Sequence, residues 1–548
     1  MKRAAQQGVH TVEYEQLVRS FKWNIPPEFN FATDVVDYWA ANDKLALICE
    51  DRDGGQRHFN FGEISRLSQQ LAHVLAALGI GEGDRIATVL PRIPEWQLSV
   101  VAALRLGAVV VPCPDLLRPT DILYRLSDAN ARAVIVNAPN LEKIETIRAQ
   151  CPELETVICV GSSRGGAVDF WSTLQVQTAR YVTARRGVDT PAIMYYSSGT
   201  TGRPKGVLLS QRALYAWRVQ AEHWLDLDAD DIISCSSGTG WAFAGTAVLF
   251  GPWSRGACAV MYDGPFDPEH RLSLLARHRV SILAAVPTEL RMMLTQDLAR
   301  YDLSHLRHVV TGGERVNPEL LERWHMATGV MPYEGYGQTE TLISCANMKS
   351  LPVRRGSTGK PLPGYRMTVL DESGREADEG VTGVLAIHAQ CPSLMVGYWW
   401  QPDKTAASYR SGWFVTGDLG YRDRDGYFWF VERADDIINS AGYRIGPSDV
   451  EMAVLRHAAV AECAVIASSD ELRGEVVKAV IVLREGFEPS DELIDSIQRF
   501  VKNETAPYMY PRKIEFVEAL PKTESGKVRR GELRARERAG CPRLKGFQ

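Results

Sequence analysis

Tyr195-Tyr196-Ser197-Ser198-Gly199-Thr200-Thr201-Gly202-Arg203-Pro204-Lys205-Gly206-Val207 carries an apolar segment into a polar turn, and its reading decides the fold. Ala192-Ile193-Met194-Tyr195-Tyr196 reads as a buried strand. After the turn come Val207-Leu208-Leu209 and then Ser210-Gln211-Arg212, a helix start with Ser210 as N-cap. Between strand and helix lie Gly199, Gly202 and Gly206, four hydroxyls (Ser197, Ser198, Thr200, Thr201) and Lys205. Glycines let the backbone approach a ligand closely, and successive N–H groups in such a turn form an anion-binding nest. The hydroxyls add donors and Lys205 a point charge. A polyphosphate needs this set. It is not the common P-loop, because no Gly-Lys-Ser/Thr follows at the required spacing. A flexible surface turn is the competing reading of any Gly/Ser/Thr run, and the order of residues decides between them.

The whole chain sets the bounds. With 548 residues and 45% hydrophobic composition it can bury several cores and should divide into domains. A formal net charge of −5 is mild at this size and points to neither nucleic acid nor a membrane surface. The longest apolar run, from Leu98 to Cys113, is broken by Arg105, so no membrane insertion is expected. Met1-Lys2-Arg3 and the polar residues after it lack the apolar core of a secretory signal. Ten cysteines are scattered without a C-x-x-C pair or metal-ligand spacing. These features lead to the expectation of a reduced, cytoplasmic enzyme, monomeric or homo-oligomeric.

Along the chain, residues 1 to about 30 read as a lead-in ending at Pro26-Pro27. From Asp34 apolar strands alternate with helical stretches, the mark of α/β architecture. Ile64 to Leu78 and Trp96 to Leu106 read as helices. Arg85–Leu90, Val109–Pro112, Ala133–Val136, Ile282–Val286 and Leu306–Thr311 read as strands. Near residue 380 strands follow one another without helices, at 366–370, 383–387 and 427–430, so a small barrel-like sheet is expected to close the large domain. Beyond the charged break at 432–436 lies a compact α/β segment. The expected division is a domain over 1–433, a hinge at 434–436 centred on Asp435, and a C-terminal domain over 437–548.

Ser-Ser-Gly-Thr-Thr-Gly-Arg-Pro-Lys-Gly at 197–206 resembles the phosphate loop of the adenylate-forming enzymes, the superfamily of acyl-CoA synthetases, peptide-synthetase adenylation domains and firefly luciferase. Further matches follow in order. Thr311-Gly312-Gly313-Glu314 and Glu334-Gly335-Tyr336-Gly337-Gln338-Thr339-Glu340 resemble two elements lining the adenine pocket. The resemblance implies that Tyr336 stacks on adenine, Thr339 touches phosphate and Glu340 helps hold Mg²⁺, a hard ion suited to carboxylate and phosphate oxygens. An ordinary turn at 312–314 and a core aromatic at 336 stay open. Asp418, in Ser411-Gly412-Trp413-Phe414-Val415-Thr416-Gly417-Asp418, would accept the ribose hydroxyls, with Arg433 beside it. Relatives commonly carry Gly or Asp before this arginine; here it is Glu432.

Asn439-Ser440-Ala441-Gly442-Tyr443-Arg444-Ile445-Gly446-Pro447 resembles the loop shaping a coenzyme A tunnel, where Gly442 would leave room for the pantetheine arm. Arg444 and Arg473 would face coenzyme phosphates, although a loop arginine such as Arg473 can equally be solvated. Leu520 to Arg530 resembles the C-terminal catalytic segment, whose Lys527 would stabilise charge during adenylation together with Lys205 and Thr339. The resemblance covers nearly the whole chain. It implies that a small carboxylic acid is activated by MgATP to acyl-AMP, and that the C-terminal domain then swings about Asp435 to deliver coenzyme A. Ser237–Ala242 and Pro252–Ala257 resemble the medium-chain acyl-CoA synthetases, which implies medium-chain fatty or aromatic acids. Acetyl-CoA synthetases carry tryptophan at the position of Gly337, so glycine there would deepen the acyl cavity. Trp241 would border that cavity, or else be a core tryptophan. The alternatives kept are an acyl-AMP ligase loading a carrier protein, a luciferase-type oxygenase and a non-catalytic nucleotide binder.

Overall fold

The computed structural model describes residues 13–539 except 176, 179, 184, 198–202, 315, 441–442, 471–473, 506–507 and 523–527. Two large mixed sheets form the body of the N-terminal domain. The first runs, in spatial order, Val168–Asp169, Thr156–Val160, Ala133–Asn137, Arg85–Val89, Val109–Cys113, Pro191–Ser197 (β1), Lys205–Ser210 (β2) and Gly397–Tyr398. It is parallel as far as β1 and antiparallel beyond. Its central strands read as unbroken apolar runs because both faces are covered; all of Val109–Cys113 is buried. Helix Gln211–His223 (α1) follows β2, with Ser210 at the N-cap position but making no side-chain cap bond.

The second sheet runs Gln56–Asn60, Leu45–Glu50, Cys258–Tyr262, Ile232–Cys235, Ile282–Ala285, His308–Gly312, Pro332–Gln338 (β3), Leu342–Ala346 (β4) and Lys360–Pro361. Helix Pro94–Leu106 is buried on every side, its polar residues Glu95, Gln97, Ser99 and Arg105 included. The charge that interrupts this apolar run, Arg105, is also buried. It donates to Asp37 at 2.8 and 2.5 Å and to Ser68 at 3.0 Å, so it is a paired core cation.

The third sheet, Met367–Leu370, Gly383–His388, Trp413–Arg422 (β5), Tyr409–Arg410 and Phe428–Arg433 (β6), is wholly antiparallel. It stays open and forms no closed barrel among the described residues, which corrects the barrel-like expectation: beyond β5, β6 makes an isolated bridge from Phe428 to Gly359 and does not close on Met367–Leu370. The expected lead-in is also more than that. Tyr14 donates to the Pro361 carbonyl at 2.9 Å and Trp23 to the Gly364 carbonyl at 2.9 Å, while Phe29 and Phe31 sit in the main core.

Past a short turn at Ala434–Asp436 the C-terminal domain has its own sheet of Tyr443–Ile445, Ile438–Ser440, Gly474–Leu483, Val460–Asp470 and Lys513–Phe516. Its core of Ile438, Val450, Val465, Ile481 and Ile497 is closed by helices Pro447–Val454 (α2) and Asp491–Glu504. Helix Arg530–Arg538 (α3) packs against Val460–Asp470.

Candidate active site

The polar stretch that decides the fold joins two antiparallel strands. Ser197 pairs with Lys205 at the open end of the antiparallel β1–β2 pair, so a second strand stands between the turn and α1. Residues Ser198, Gly199, Thr200, Thr201 and Gly202 lie outside the described residues. Arg203 sets its guanidinium over the Tyr124 ring at 5.3 Å, and the Pro204 carbonyl accepts from Tyr124 at 2.8 Å, which ties the end of the turn to the domain.

Lys205 leaves β2 towards Tyr398, its ammonium 4.7 Å from the ring centroid. Lys404 approaches the same ring at 5.8 Å. The Tyr398 hydroxyl donates to Glu340 Oε1 at 3.0 Å, and the Glu340 side chain is buried in the turn after β3. Burial and the neighbouring Lys404 hold the Lys205 pKa below the usual lysine value, opposed by Glu340. Burial, with Glu340 beside it, pushes the Tyr398 phenol up, so it stays a donor. Two ammonium groups thus share one aromatic face with a single carboxylate against them. The spot is electropositive and would relax on receiving an anion. Tyr398 and Lys404 belong to no recognised stretch of the sequence; the aromatic cluster Tyr398-Trp399-Trp400 was the available signal.

Asp418 sits within β5, in mid-strand rather than at a strand end, and is buried. Its Oδ2 accepts from Tyr336 at 2.7 Å and from Gln338 at 2.7 Å, and its Oδ1 accepts from Arg433 at 2.8 Å. Gln338 also donates to the Thr416 carbonyl at 2.9 Å. Burial raises the Asp418 pKa, opposed by Arg433 and then by Tyr336 and Gln338. Burial likewise pushes the Tyr336 phenol up. Three expected ligand-binding side chains therefore converge on the fourth, Asp418. The Tyr336 ring packs 6.2 Å from Phe430 with its centroid.

Glu334, Gly335, Tyr336, Gly337 and Gln338 form the end of β3 rather than a loop after it, and Thr339 begins the turn to β4. Gly312 ends the strand His308–Gly312; Gly313 follows with φ +84°, and Glu314 accepts from Thr288 at 2.9 Å. Gly337 differs from expectation. A β-carbon there would lie 1.9 Å from the Leu342 carbonyl oxygen, so β4 backbone fills the direction a side chain would take, and no acyl cavity opens on that side. Strand pairing at the bulge between Tyr336 and Gly337 gives glycine its reason. Trp241 is half-buried ahead of the short helix Ala242–Gly245. It is absent from the apolar clusters that take in Ala242 and Phe243, so it is not a core tryptophan.

Of the C-terminal expectations, Ala441, Gly442, Arg473 and Lys527 lie outside the described residues. Tyr443 is exposed and stacks on Tyr508 at 4.2 Å; Arg444 follows it in the strand Tyr443–Ile445. Asp435 is exposed in the turn that ends β6, and Asp436 is buried.

Comparison with known proteins adds to this geometry. The profile of the family described as AMP-binding enzyme matches residues 37–399, and that of the AMP-binding enzyme C-terminal domain matches 449–527. The mouse mitochondrial acyl-coenzyme A synthetase ACSM3 is 40% identical over 540 residues, covering 96% of this chain and 93% of that protein. The crystal structure of the anthranilate CoA ligase AuaEII in complex with anthranoyl-AMP superposes with a TM-score of 0.85 at 31% identity, over 95% of this chain and 99% of that one. ATP-bound MatB from Rhodopseudomonas palustris gives a TM-score of 0.80 at 25% identity, over 96% and 98%. The synthetases matched in sequence, ACSM3, ACSM4 and ACSM5, are all named mitochondrial, which overturns the expected cytoplasmic location. An apolar core is the mark of a secretory signal only, whereas mitochondrial transit peptides are amphipathic and basic.

Proposed function

The chain belongs to the AMP-binding enzyme family, and on that premise we propose that it is an AMP-forming acid–CoA ligase. A carboxylate oxygen attacks the α-phosphorus of ATP, the bond to the bridging oxygen breaks, and acyl-AMP and pyrophosphate result. The thiol of coenzyme A then attacks the acyl carbon, loses its proton and expels AMP. The observation that carries this reading is the pairing of two sites: Lys205 and Lys404 on the Tyr398 face beside Glu340, and the buried Asp418 with its three donors. The first offers charge to phosphates, the second a carboxylate to ribose hydroxyls.

In this reading the 197–206 turn wraps the phosphates, Lys205 offsets charge on the γ- and β-phosphates, and Thr339 donates to the α-phosphate. Gly313, Glu314 and the Glu334–Gln338 strand wall the adenine. Lys527 approaches from the C-terminal domain for adenylation, and the 441–446 loop with Arg444 and Arg473 receives coenzyme A after rotation about Asp435. Among the described residues no group of three or more His, Cys, Asp and Glu side chains could cage a metal. The buried Glu340 carboxylate nevertheless fits Mg²⁺, which favours one or two carboxylates plus phosphate oxygens and water. Bound there, Mg²⁺ would supply charge neutralisation on the phosphates. The acids proposed are medium-chain fatty or aromatic, with Trp241 at the acyl wall; the anthranoyl-AMP complex of AuaEII supports an aromatic acid.

Pyrophosphate release with hexanoate, octanoate and benzoate, with and without coenzyme A, tests this. A stoichiometric burst without coenzyme A and sustained turnover with it are expected, together with an acyl-CoA product. Acyl-AMP formation with no thioester would leave a ligase for another acceptor.

A further inference from the structure

Glu432 is the last-but-one residue of β6, and its carboxylate is buried. It pairs in register with Leu419 of β5 and so belongs to the N-terminal domain. Its partner lies on the other side of the Ala434–Asp436 turn. Glu432 Oε2 accepts from the Ser448 backbone N–H at 3.0 Å and also from the Ser448 hydroxyl, in the first turn of α2. The first N–H groups of a helix have no intrahelical acceptor, and a carboxylate there meets the positive end of the helix dipole. Glycine at 432 would offer no such acceptor.

The contact has connections on both sides. On the near side, Glu432 Oε1 accepts from the Arg433 N–H at 3.1 Å, and the Arg433 side chain holds Asp418 in the nucleotide site. On the far side, Glu451 in the same α2 grips Arg530 at 3.1 and 2.6 Å. Arg530 opens α3, which follows directly on the segment carrying Lys527. Buried Asp436 pairs with Arg534 one turn later in α3. Hydrogen bonds on either side of α2, joined by the helix itself, thus connect the candidate ribose ligand to the helix behind the candidate catalytic lysine.

We propose that Glu432 is a positioning residue, which by accepting both Ser448 donors holds the C-terminal domain in this orientation to the nucleotide site, so that releasing Ser448 is a step in the change between half-reactions. This rests on the two-step ligase reading. Rotation about 434–436 must carry Ser448 away from a fixed Glu432, since the two lie on opposite sides of the turn.

The test compares Glu432→Gly and Ser448→Ala with the parent enzyme. One measurement is the ratio of single-turnover pyrophosphate release, from octanoate and ATP, to thioester formation from supplied octanoyl-AMP and coenzyme A. The other needs no activity: the rate of tryptic cleavage after Arg433. Expected are at least a fivefold change of the ratio in Glu432→Gly, a smaller change of the same sign in Ser448→Ala, and faster cleavage in both. Glu432→Gln, which keeps an acceptor oxygen, should lie nearer the parent. A ratio within twofold of the parent, or both half-reactions falling in parallel with a lowered Tm, would overturn the proposal. If the parent releases no pyrophosphate with any acid, the ligase reading fails, and the cleavage rates alone decide whether Glu432 holds the domain.

Discussion

Asp418 and Arg433 face each other in register across β5 and β6, and one carboxylate oxygen of the buried aspartate is taken by the Arg433 guanidinium at 2.8 Å. Burial raises the Asp418 pKa and Arg433 is the largest influence against it. Arg433→Ala removes that influence and raises the pKa further. A carboxyl whose folded pKa lies above its unfolded value favours the folded state at low pH, and that advantage is lost as pH rises through the folded pKa. The stability deficit of Arg433→Ala should therefore be larger at a pH above the variant's folded pKa than at one below it, towards roughly 2–3 kcal/mol. Urea unfolding at both pH values measures it; a deficit that does not change with pH would show that the pair contributes only packing.

Lys205 gives a pH dependence of binding. Burial and Lys404 lower its pKa, and only the ammonium form attracts phosphate. Affinity for a non-hydrolysable ATP analogue should fall as pH rises through that lowered value, by up to about tenfold per pH unit. Lys205→Arg keeps its charge and should flatten the profile. Calorimetry of both proteins across the alkaline range decides, and coincident slopes would separate the effect from Lys205.

Lys527→Ala should abolish adenylation and spare thioester formation from supplied acyl-AMP, because its segment serves one domain orientation. Single-turnover assays of each half-reaction measure this. An equal loss in both would mean that the segment acts on stability.

Gly337→Trp separates two accounts of one glycine. An open acyl cavity beside Gly337 would turn the variant towards acetate. The structure gives a different outcome: a β-carbon 1.9 Å from the Leu342 oxygen must push β3 and β4 apart. Overpacking of this kind typically costs about 1–3 kcal/mol. Tm should fall and kcat/KM for octanoate and acetate should drop together, leaving their ratio unchanged. A ratio shifted towards acetate at an unchanged Tm would refute this.

Periodicity located the elements that frame the site. The helix expected from Ile64 is Phe61–Ala77, started by an Asn60–Glu63 capping box, and the strands expected at 109, 133 and 282 lie where expected. Short-range patterns did not reveal what depends on distant partners. Asp418 reads as lying where a strand meets a turn, yet pairing with β6 makes it mid-strand. Gly337 reads by resemblance as ligand space, whereas the hairpin return at Leu342, only five residues on, occupies it. Tyr398 shows locally only as part of an aromatic cluster, and the antiparallel contact of Gly397–Tyr398 with β2 is what brings it to Lys205. Arg105 reads only as a break in an apolar run, and its partner Asp37, far away in sequence, makes it a paired core cation.

The Ser197–Lys205 pair at the foot of the hairpin has a further consequence, for insertions and deletions. Side chains on a strand alternate between faces, so a slip of one residue turns every side chain to the opposite face. If one residue is added to or removed from 198–204 and the slip passes into β2, Lys205 swings away from Tyr398, and Val207 and Leu209 trade faces with Leu208, which packs in a different core. The number of residues in the turn is thus constrained as tightly as their chemistry, and sequences that drift at these positions should do so by replacement and not by change of length.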